Sequence, residues 1–221
     1  MPAMKSLADC RLYTFVDTAY LAGRDPALLA RQLCDGGSDL IQVRAKNAPL
    51  DEIRHLAEAI LPVTRAAGVR LVINDHLELA RELGAEFCHL GQEDFFDAGH
   101  RHVSEVRPPG GPLQIGLSTH APEQAARALA AGADYIAIGP VYATGTKPTA
   151  RPVTLEYVRW AAAHVTVPWF AIGGIKLTNL DEVLAAGARR ICVVSAILNA
   201  ADVAGACREF ARRLDMAHKS H

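Results

Sequence analysis

Asp75 and Asp94 each follow a short apolar run of the kind that forms a buried strand. If these runs are neighbouring parallel strands, both carboxylates lie at the same edge of the sheet, where they repel each other unless a cation lies between them. Oxygen ligands without histidine or cysteine favour Mg²⁺, which binds a few carboxylates together with phosphate oxygens and water. The pair therefore predicts a magnesium site. The alternative is that either aspartate only caps the helix after it.

Arg44, Lys46 and Lys147 supply three positive charges that we expect around this aspartate pair. Together with Mg²⁺ and the two aspartates they carry a net charge of about +3, which balances a diphosphate of about −3 and would exceed the charge of a monophosphate. The charges therefore predict a bound diphosphate. The alternative for the three side chains is exposure to solvent at the rim of the fold.

A second anion site is indicated by Gly173-Gly174 and Val194-Ser195, which belong to the ends of the last two apolar runs. Glycine lets backbone N–H groups approach an oxygen closely. In α/β barrels, the loops after the last two strands often bind a monophosphate through such groups. Gly173-Gly174 alone would indicate only a tight turn, but its position together with Ser195 predicts a monophosphate site.

The segment Ala143–Pro152 contains Thr144, Thr146 and Lys147 and shows no apolar periodicity. A connection this long in a compact barrel typically acts as a lid. We expect it to bring Lys147 over the bound diphosphate and to exclude water. The alternative is that the segment is disordered.

Ser118 and His120 follow the fifth apolar run. His120 could act as an acid or base near neutral pH, or it could only form structural hydrogen bonds, and both interpretations stay open. No acidic partner for Ser118 is evident in the sequence, so we do not expect a nucleophilic serine.

The elements that must position these residues are eight apolar runs, at Leu12–Val16, Leu40–Val43, Leu71–Ile73, Phe87–Leu90, Leu113–Leu117, Tyr135–Ile138, Trp169–Ile172 and Ile191–Val194. Alanine- and leucine-rich stretches with helical spacing lie between most of them. The runs are nearly continuous, as in parallel strands that are covered on both faces. We predict one (β/α)8 TIM barrel over residues 1–221, with its core at about 12–214 and its site at the carboxyl ends of the strands. A doubly wound open sheet is the alternative.

Composition argues against several classes of function. The 23 basic and 24 acidic residues leave a formal net charge of −1, which disfavours bulk electrostatic binding to nucleic acid or to an anionic membrane. No apolar run approaches the roughly 20 residues of a membrane helix, and the N-terminus lacks the apolar core of a signal peptide. The five cysteines are widely spaced without a C-x-x-C pair, which predicts reduced thiols and a cytoplasmic location.

Taken in order, the motifs resemble those of the thiamine-phosphate synthase family over about residues 12–214, and single pieces are far less specific than the ordered set. The motifs are Gln42-x-Arg44-x-Lys46, Ile73-Asn74-Asp75, Gly91-Gln92-Glu93-Asp94, Gly116-x-Ser118-x-His120, Gly139-Pro140 with Thr144-x-Thr146-Lys147, Ile172-Gly173-Gly174-Ile175 and Val194-Ser195-Ala196-Ile197.

The resemblance implies a (β/α)8 barrel that condenses a hydroxymethylpyrimidine diphosphate with a thiazole monophosphate, giving thiamine phosphate and pyrophosphate. Pyrophosphate would leave first, and the thiazole nitrogen would capture the resulting pyrimidine methylene cation. Such a mechanism needs stabilisation of the leaving group and exclusion of water rather than a protein nucleophile.

The resemblance also implies a role for each site residue. Asp75 and Asp94 would bind Mg²⁺. The pyrimidine diphosphate would be bound by Gln42, Arg44, Lys46, Asn74, Ser118 and Lys147, of which Arg44, Lys46, Ser118 and Lys147 would be catalytic. The thiazole phosphate would be bound by Thr144, Thr146, Gly174, Val194 and Ser195.

Three alternatives stay beside this interpretation. A thiazole tautomerase resembles the synthase in its barrel and thiazole phosphate site, but it does not need the diphosphate-binding residues. The others are a non-catalytic protein that binds thiazole phosphate and a different phosphate-binding barrel, such as a sugar-phosphate isomerase. The complete diphosphate set favours the synthase. Its partners would be these small-molecule substrates, and a homo-oligomer is compatible with the sequence.

Overall fold

Eight parallel strands close into a barrel in a computed structural model that describes residues 3–107, 111–144 and 151–219. The strands run in chain order around the barrel, and β1 pairs with β8 through Leu12 and Ile191. Closure confirms the predicted (β/α)8 barrel and excludes the open sheet. The strands are β1 (Leu12–Asp17), β2 (Leu40–Arg44), β3 (Arg70–Asn74), β4 (Phe87–Leu90), β5 (Gln114–Thr119), β6 (Tyr135–Ile138), β7 (Trp169–Ile172) and β8 (Ile191–Cys192).

Helices cover the outside of the barrel, because a parallel sheet needs a crossover between successive strands. They are α1 (Pro26–Asp35), α2 (Leu50–Ala67), α3 (Leu77–Leu83), α4 (Gln92–Asp97), α5 (Pro122–Ala130), α6 (Thr154–His164), α7 (Leu180–Ala185), α8 (Ser195–Leu198) and α9 (Val203–Lys219). Short 3-10 helices lie at Leu7–Asp9, Thr18–Tyr20 and Val103–Glu105. Within the described ranges, no helix combines the length and apolar character needed to cross a membrane.

The last strand is shorter than the sequence predicts. The apolar run Ile191–Val194 predicts four strand residues, but β8 ends at Cys192. Val194 has a φ of −112° and a ψ of −89°, which lies outside the extended region, and α8 begins at the next residue. The chain therefore turns out of the barrel at Val194 and carries Ser195 into the first turn of α8.

Aromatic rings fill the interior of the barrel. Tyr13, Phe87, Tyr135 and Phe170 are all buried, and the rings of Tyr13 and Tyr135 pack edge-on against Phe170 at centroid distances of 5.4 and 5.7 Å. A Cβ at Gly116 would lie 2.1 Å from the Cζ of Tyr135, so only glycine leaves room for that ring. The barrel is thus closed below its carboxyl-end face by a packed layer of rings.

All five cysteines are free thiols. Cys10, Cys88, Cys192 and Cys207 are buried, and Cys34 is partly buried. Burial raises the pKa of Cys10 and of Cys34 to about 11, and that of Cys207 to about 12. The thiols therefore stay protonated and unreactive near neutral pH.

Candidate active site

A cavity of about 350 Å³ opens at the carboxyl ends of the strands, where the site of a (β/α)8 barrel is expected. Eleven of the thirteen predicted site residues line it: Gln42, Arg44, Lys46, Asn74, Asp75, Asp94, Ser118, Thr144, Gly174, Val194 and Ser195. The other two, Thr146 and Lys147, lie outside the described residues, so the lid remains a prediction. Residues from seven separate parts of the sequence thus meet at one cavity.

Arg44 is held at the cavity by a buried ion pair. Its Nη1 lies 2.6 Å from Oδ2 of Asp17, and the two residues are paired in the register of β1 and β2. Asp17 also accepts a hydrogen bond from the backbone N–H of Ala19. Two well-placed donors offset part of the cost of burying this carboxylate. Arg44 is therefore an ordered cation, and the rim-exposed alternative is wrong for it.

Asp75 lies at the centre of a small polar cluster. Its Oδ2 accepts a hydrogen bond of 2.6 Å from Asn74 Nδ2 and lies 3.5 Å from Lys46 Nζ. Asp75 has a φ of +62°, a left-handed conformation that costs free energy in a residue other than glycine. His76, not Asp75, is the N-cap of α3, and it forms no side-chain capping bond. The helix-cap alternative is therefore wrong for Asp75.

Asp94 lies in the first turn of α4, directly after β4. A Cβ at Gly91 would lie 2.3 Å from Oδ2 of Asp94, so glycine at the helix N-cap is what lets this carboxylate fold back towards the strand end. The N-cap itself is Gly91, and Asp94 is three residues further along. The structure thus brings Asp94 to the same cavity as Asp75, as predicted.

The two aspartates match a cation that arrives with its substrate rather than one held in a protein cage. In the described part of the chain, no group of three or more His, Cys, Asp or Glu side chains could hold a metal ion. Mg²⁺ in phosphate-handling sites commonly takes one or two carboxylates and completes its shell with substrate oxygens and water. Two carboxylates that line a cavity beside Arg44 and Lys46 fit that pattern.

Ser118 and Gln42 are bound to buried partners at the base of the cavity. Ser118 Oγ lies 2.9 Å from His89 Nε2. Gln42 Nε2 donates a hydrogen bond of 2.6 Å to the hydroxyl of Tyr13. Both side chains therefore have fixed positions before any ligand enters.

His120 forms structural hydrogen bonds. Its Nδ1 donates a short hydrogen bond to the carbonyl oxygen of Gly139, because a carbonyl can only accept. Its backbone N–H donates to Oε1 of Gln124 at 2.7 Å. The first bond ties the end of β5 to the end of β6, and the second ties it to α5. Of the two interpretations of His120, the structure favours the structural one.

The loop after β7 is packed tightly against the loop after β6. Gly173 and Gly174 have φ values of +102° and +66°. A Cβ at Gly173 would lie 2.4 Å from the Cβ of Pro140, and one at Gly174 would lie 2.7 Å from the carbonyl oxygen of Ala143. Both the backbone conformation and the close approach require glycine. Gly174 and Ser195 line the cavity together.

Four buried polar residues of the site are not identified by the sequence patterns: Asp17, Tyr13, His89 and Tyr135. Asp17 stands at the end of the first apolar run, the same position that singles out Arg44 and Asp75. His89 interrupts the apolar run of β4. A polar residue inside such a run is the signal that could have identified it.

Known proteins that share this sequence and fold were found in three comparisons. The family model described as Thiamine monophosphate synthase matches residues 12–197. The thiamine-phosphate synthase of Thermus thermophilus is 47% identical over 180 residues, which are 81% of this chain and 84% of the relative. That of Lawsonia intracellularis is 37% identical over 96% of each chain. The solved thiamine phosphate pyrophosphorylase from Pyrococcus furiosus is similar with a TM-score of 0.83 and 30% identity, covering 94% of this chain and 96% of that one.

Proposed function

The chain belongs to the thiamine monophosphate synthase family of transferases, and we propose that its cavity is where an aminopyrimidine diphosphate is joined to a thiazole phosphate. The observation that carries this proposal is the meeting of two carboxylates, Asp75 and Asp94, with two cations, Arg44 and Lys46, in one cavity. That combination suits a diphosphate that leaves with a bound cation.

Arg44 and Lys46 would bind the diphosphate. Arg44 uses one nitrogen on Asp17, and a guanidinium has further N–H groups that can bind an anion. Lys46 is about half exposed and lies 3.5 Å from Asp75, so its ammonium group can move to a phosphate oxygen without breaking a buried contact. Asn74 holds the Asp75 carboxylate from the other side. Lys147 would add a third cation from the segment outside the described residues.

Asp75 and Asp94 would hold Mg²⁺ together with oxygens of the diphosphate. When bound, the ion would withdraw negative charge from the leaving group. Both carboxylates line the cavity. Asp75 is not the N-cap of its helix, and the absence of a side chain at Gly91 leaves room for the Asp94 carboxylate beside the end of β4.

The thiazole phosphate would bind on the other side of the cavity, at the ends of β7 and β8. Gly174, Val194 and Ser195 line the cavity there, and Thr144 lines it from the loop after β6. Backbone N–H groups of glycine-rich turns are suited to phosphate oxygens. Thr146, from the same loop as Thr144, would complete this site.

In the proposed reaction, the bond between the pyrimidine methylene carbon and the diphosphate oxygen breaks first, and its electron pair leaves with the pyrophosphate. The lone pair of the thiazole nitrogen then forms the new bond to that carbon. Arg44, Lys46 and Lys147 would stabilise the departing charge, and Ser118 with Gln42 would orient the pyrimidine ring. No protein nucleophile takes part in this proposed reaction. Ser118 contacts Nε2 of His89, and Nδ1 of His89 contacts the hydroxyl of Tyr135 at 3.0 Å, whereas a catalytic triad places a carboxylate at that nitrogen.

A direct assay tests the proposal. Purified protein is mixed with the aminopyrimidine diphosphate, the thiazole phosphate and Mg²⁺, and thiamine phosphate is quantified with and without EDTA. We expect product that EDTA abolishes and added Mg²⁺ restores. Folded protein that binds thiazole phosphate but forms no product would contradict the proposal and favour the tautomerase or the non-catalytic binding protein.

We further propose that the protein acts in the cytoplasm on small molecules. Its family makes a soluble metabolite from two phosphorylated precursors, and its five cysteines are free thiols, which suits a reducing compartment. Cell fractionation with an antibody against the protein would check the location.

A further inference from the structure

A continuous line of hydrogen bonds crosses the interior of the barrel from Gln42 to Ser118. Gln42 Nε2 lies 2.6 Å from the hydroxyl of Tyr13, which lies 3.3 Å from the hydroxyl of Tyr135. The Tyr135 hydroxyl lies 3.0 Å from His89 Nδ1, and His89 Nε2 lies 2.9 Å from Ser118 Oγ. We refer to these five residues as the barrel relay.

The relay connects strands that are far apart in the sequence and around the barrel. Tyr13 and Tyr135 belong to β1 and β6, which are not neighbours in the closed sheet, so their hydroxyls meet across the interior. Tyr13, Gln42, His89 and Tyr135 are buried, and all relay residues except Tyr135 also line the cavity. The relay is thus anchored inside the barrel and reaches the cavity at both ends.

The proton positions along the relay follow from its first donor. The amide nitrogen of Gln42 can only donate, so the Tyr13 oxygen accepts from it. The buried Tyr13 hydroxyl proton then needs an acceptor of its own, and the Tyr135 oxygen lies within reach of it. Burial raises the pKa of Tyr13 and of Tyr135 well above the ordinary value, so both hydroxyls keep their protons. Tyr135 in turn donates to Nδ1 of His89. The ring proton of His89 then lies on Nε2, which donates to Ser118 Oγ.

This direction gives the two ends of the relay opposite polarity. The bond to Tyr13 holds the amide nitrogen of Gln42 inside the barrel, so the carbonyl oxygen is the acceptor that Gln42 can offer to a ligand in the cavity it lines. Ser118 accepts from His89 and keeps its hydroxyl proton, a donor, for the cavity. A 4-aminopyrimidine carries an N–H donor beside a ring-nitrogen acceptor, which complements this pair. A 4-oxopyrimidine carries a carbonyl acceptor beside a ring N–H donor. It would therefore place an acceptor against the Gln42 carbonyl and a donor against the Ser118 hydroxyl proton.

We propose that the barrel relay makes the cavity select an amino-substituted pyrimidine over its oxo counterpart, with Tyr13, Tyr135 and His89 as positioning residues that act through the polar groups of Gln42 and Ser118. The proposal rests on the function proposed above. It adds that the barrel relay determines which substituted pyrimidine ring the cavity binds.

The direction of the relay can be measured without any substrate. In protein labelled with ¹⁵N-histidine at a pH of about 8, the ring nitrogens of His89 are assigned by comparison with His89→Gln. We expect a proton on Nε2 and none on Nδ1. A proton on Nδ1 would show that the relay runs the other way and would overturn the proposal.

The selectivity is measured as binding, so that it does not depend on turnover. Calorimetric titration with Mg²⁺ compares the 4-amino and 4-oxo pyrimidine diphosphates. A mismatched pair of buried hydrogen-bonding groups should weaken the oxo compound by about a hundredfold in the wild-type protein. Tyr135→Phe breaks the relay but keeps the ring, and we expect the preference to fall about tenfold.

Tyr157→Phe is the matched control. Its hydroxyl is also buried and forms hydrogen bonds of 2.8 Å to Thr119 and to the carbonyl of Ala121, but it is not part of the relay. This variant should keep the wild-type preference. Equal preference in the wild-type and Tyr135→Phe proteins would overturn the proposal. A selective protein that forms no thiamine phosphate would refute the proposed function and leave the relay supported.

Discussion

The carboxylate of Asp17 lies 2.6 Å from the guanidinium of Arg44, at the point where the paired strands β1 and β2 end. Only 1% of the Asp17 side chain is exposed, compared with 12% for Arg44. Taking a carboxylate out of water costs free energy that its partner must offset. The buried, charged carboxylate of Asp17 is therefore stabilised by Arg44. The same ion pair fixes the direction in which the Arg44 side chain reaches the cavity.

Asp17→Asn should lower kcat/KM about tenfold or more, because Arg44 loses its anchor while keeping its charge. It should also reduce the free energy of unfolding by about 3 kcal/mol, the low end for a broken buried pair, because Arg44 borders the cavity. Steady-state kinetics and urea unfolding measure the two effects. Glu82→Gln, which removes the exposed partner of Arg54, is the control. It should change neither kcat/KM nor the free energy of unfolding, because exposed ion pairs contribute little. Wild-type kcat/KM in Asp17→Asn would contradict the anchoring role.

Asp75→Asn and Asp94→Asn should each slow the reaction on the order of a hundredfold, the usual loss when one strong electrostatic stabiliser is removed. Each should also raise the Mg²⁺ concentration needed for half-maximal rate, because one of two protein ligands becomes neutral. Asp97→Asn, at the exposed end of α4, is the control and should behave like the wild type. Near-normal rates in both site variants would rule out a shared magnesium site.

The strand ends and most of the site could be predicted because each residue follows its own apolar run. The barrel relay could not. Tyr13 and Tyr135 are 122 residues apart, and whether their hydroxyls meet depends on the register and closure of the whole barrel. In the sequence, a tyrosine inside an apolar run indicates only core packing. Nor does the pattern show that Val194 leaves the strand, because valine favours strands and the apolar run therefore predicts that the strand continues through it.

Lys147→Ala should lower kcat more than it weakens binding of the thiazole phosphate, because the lysine is expected to act on the leaving pyrophosphate. Single-turnover rates and equilibrium titration with thiazole phosphate separate the two effects. Lys219→Ala, at the end of α9, removes a lysine far along the chain from the site and serves as the control. A large loss of thiazole phosphate affinity with normal kcat would assign Lys147 to the other substrate.

Gly174→Ala should destabilise the protein and weaken thiazole phosphate binding about tenfold or more. The added Cβ would meet the carbonyl oxygen of Ala143 at 2.7 Å, and the φ of +66° is itself unfavourable for alanine. Gly99→Ala separates the two causes, because Gly99 has a φ of +89° and no atom within 4 Å of the added Cβ. Gly99→Ala should lower the free energy of unfolding by only about 1 kcal/mol, because alanine is unfavourable at this positive φ. It should leave thiazole phosphate binding unchanged. Thermal unfolding and calorimetric titration of both variants check this, and equal binding by the two would show that the close approach at Gly174 does not shape the phosphate site.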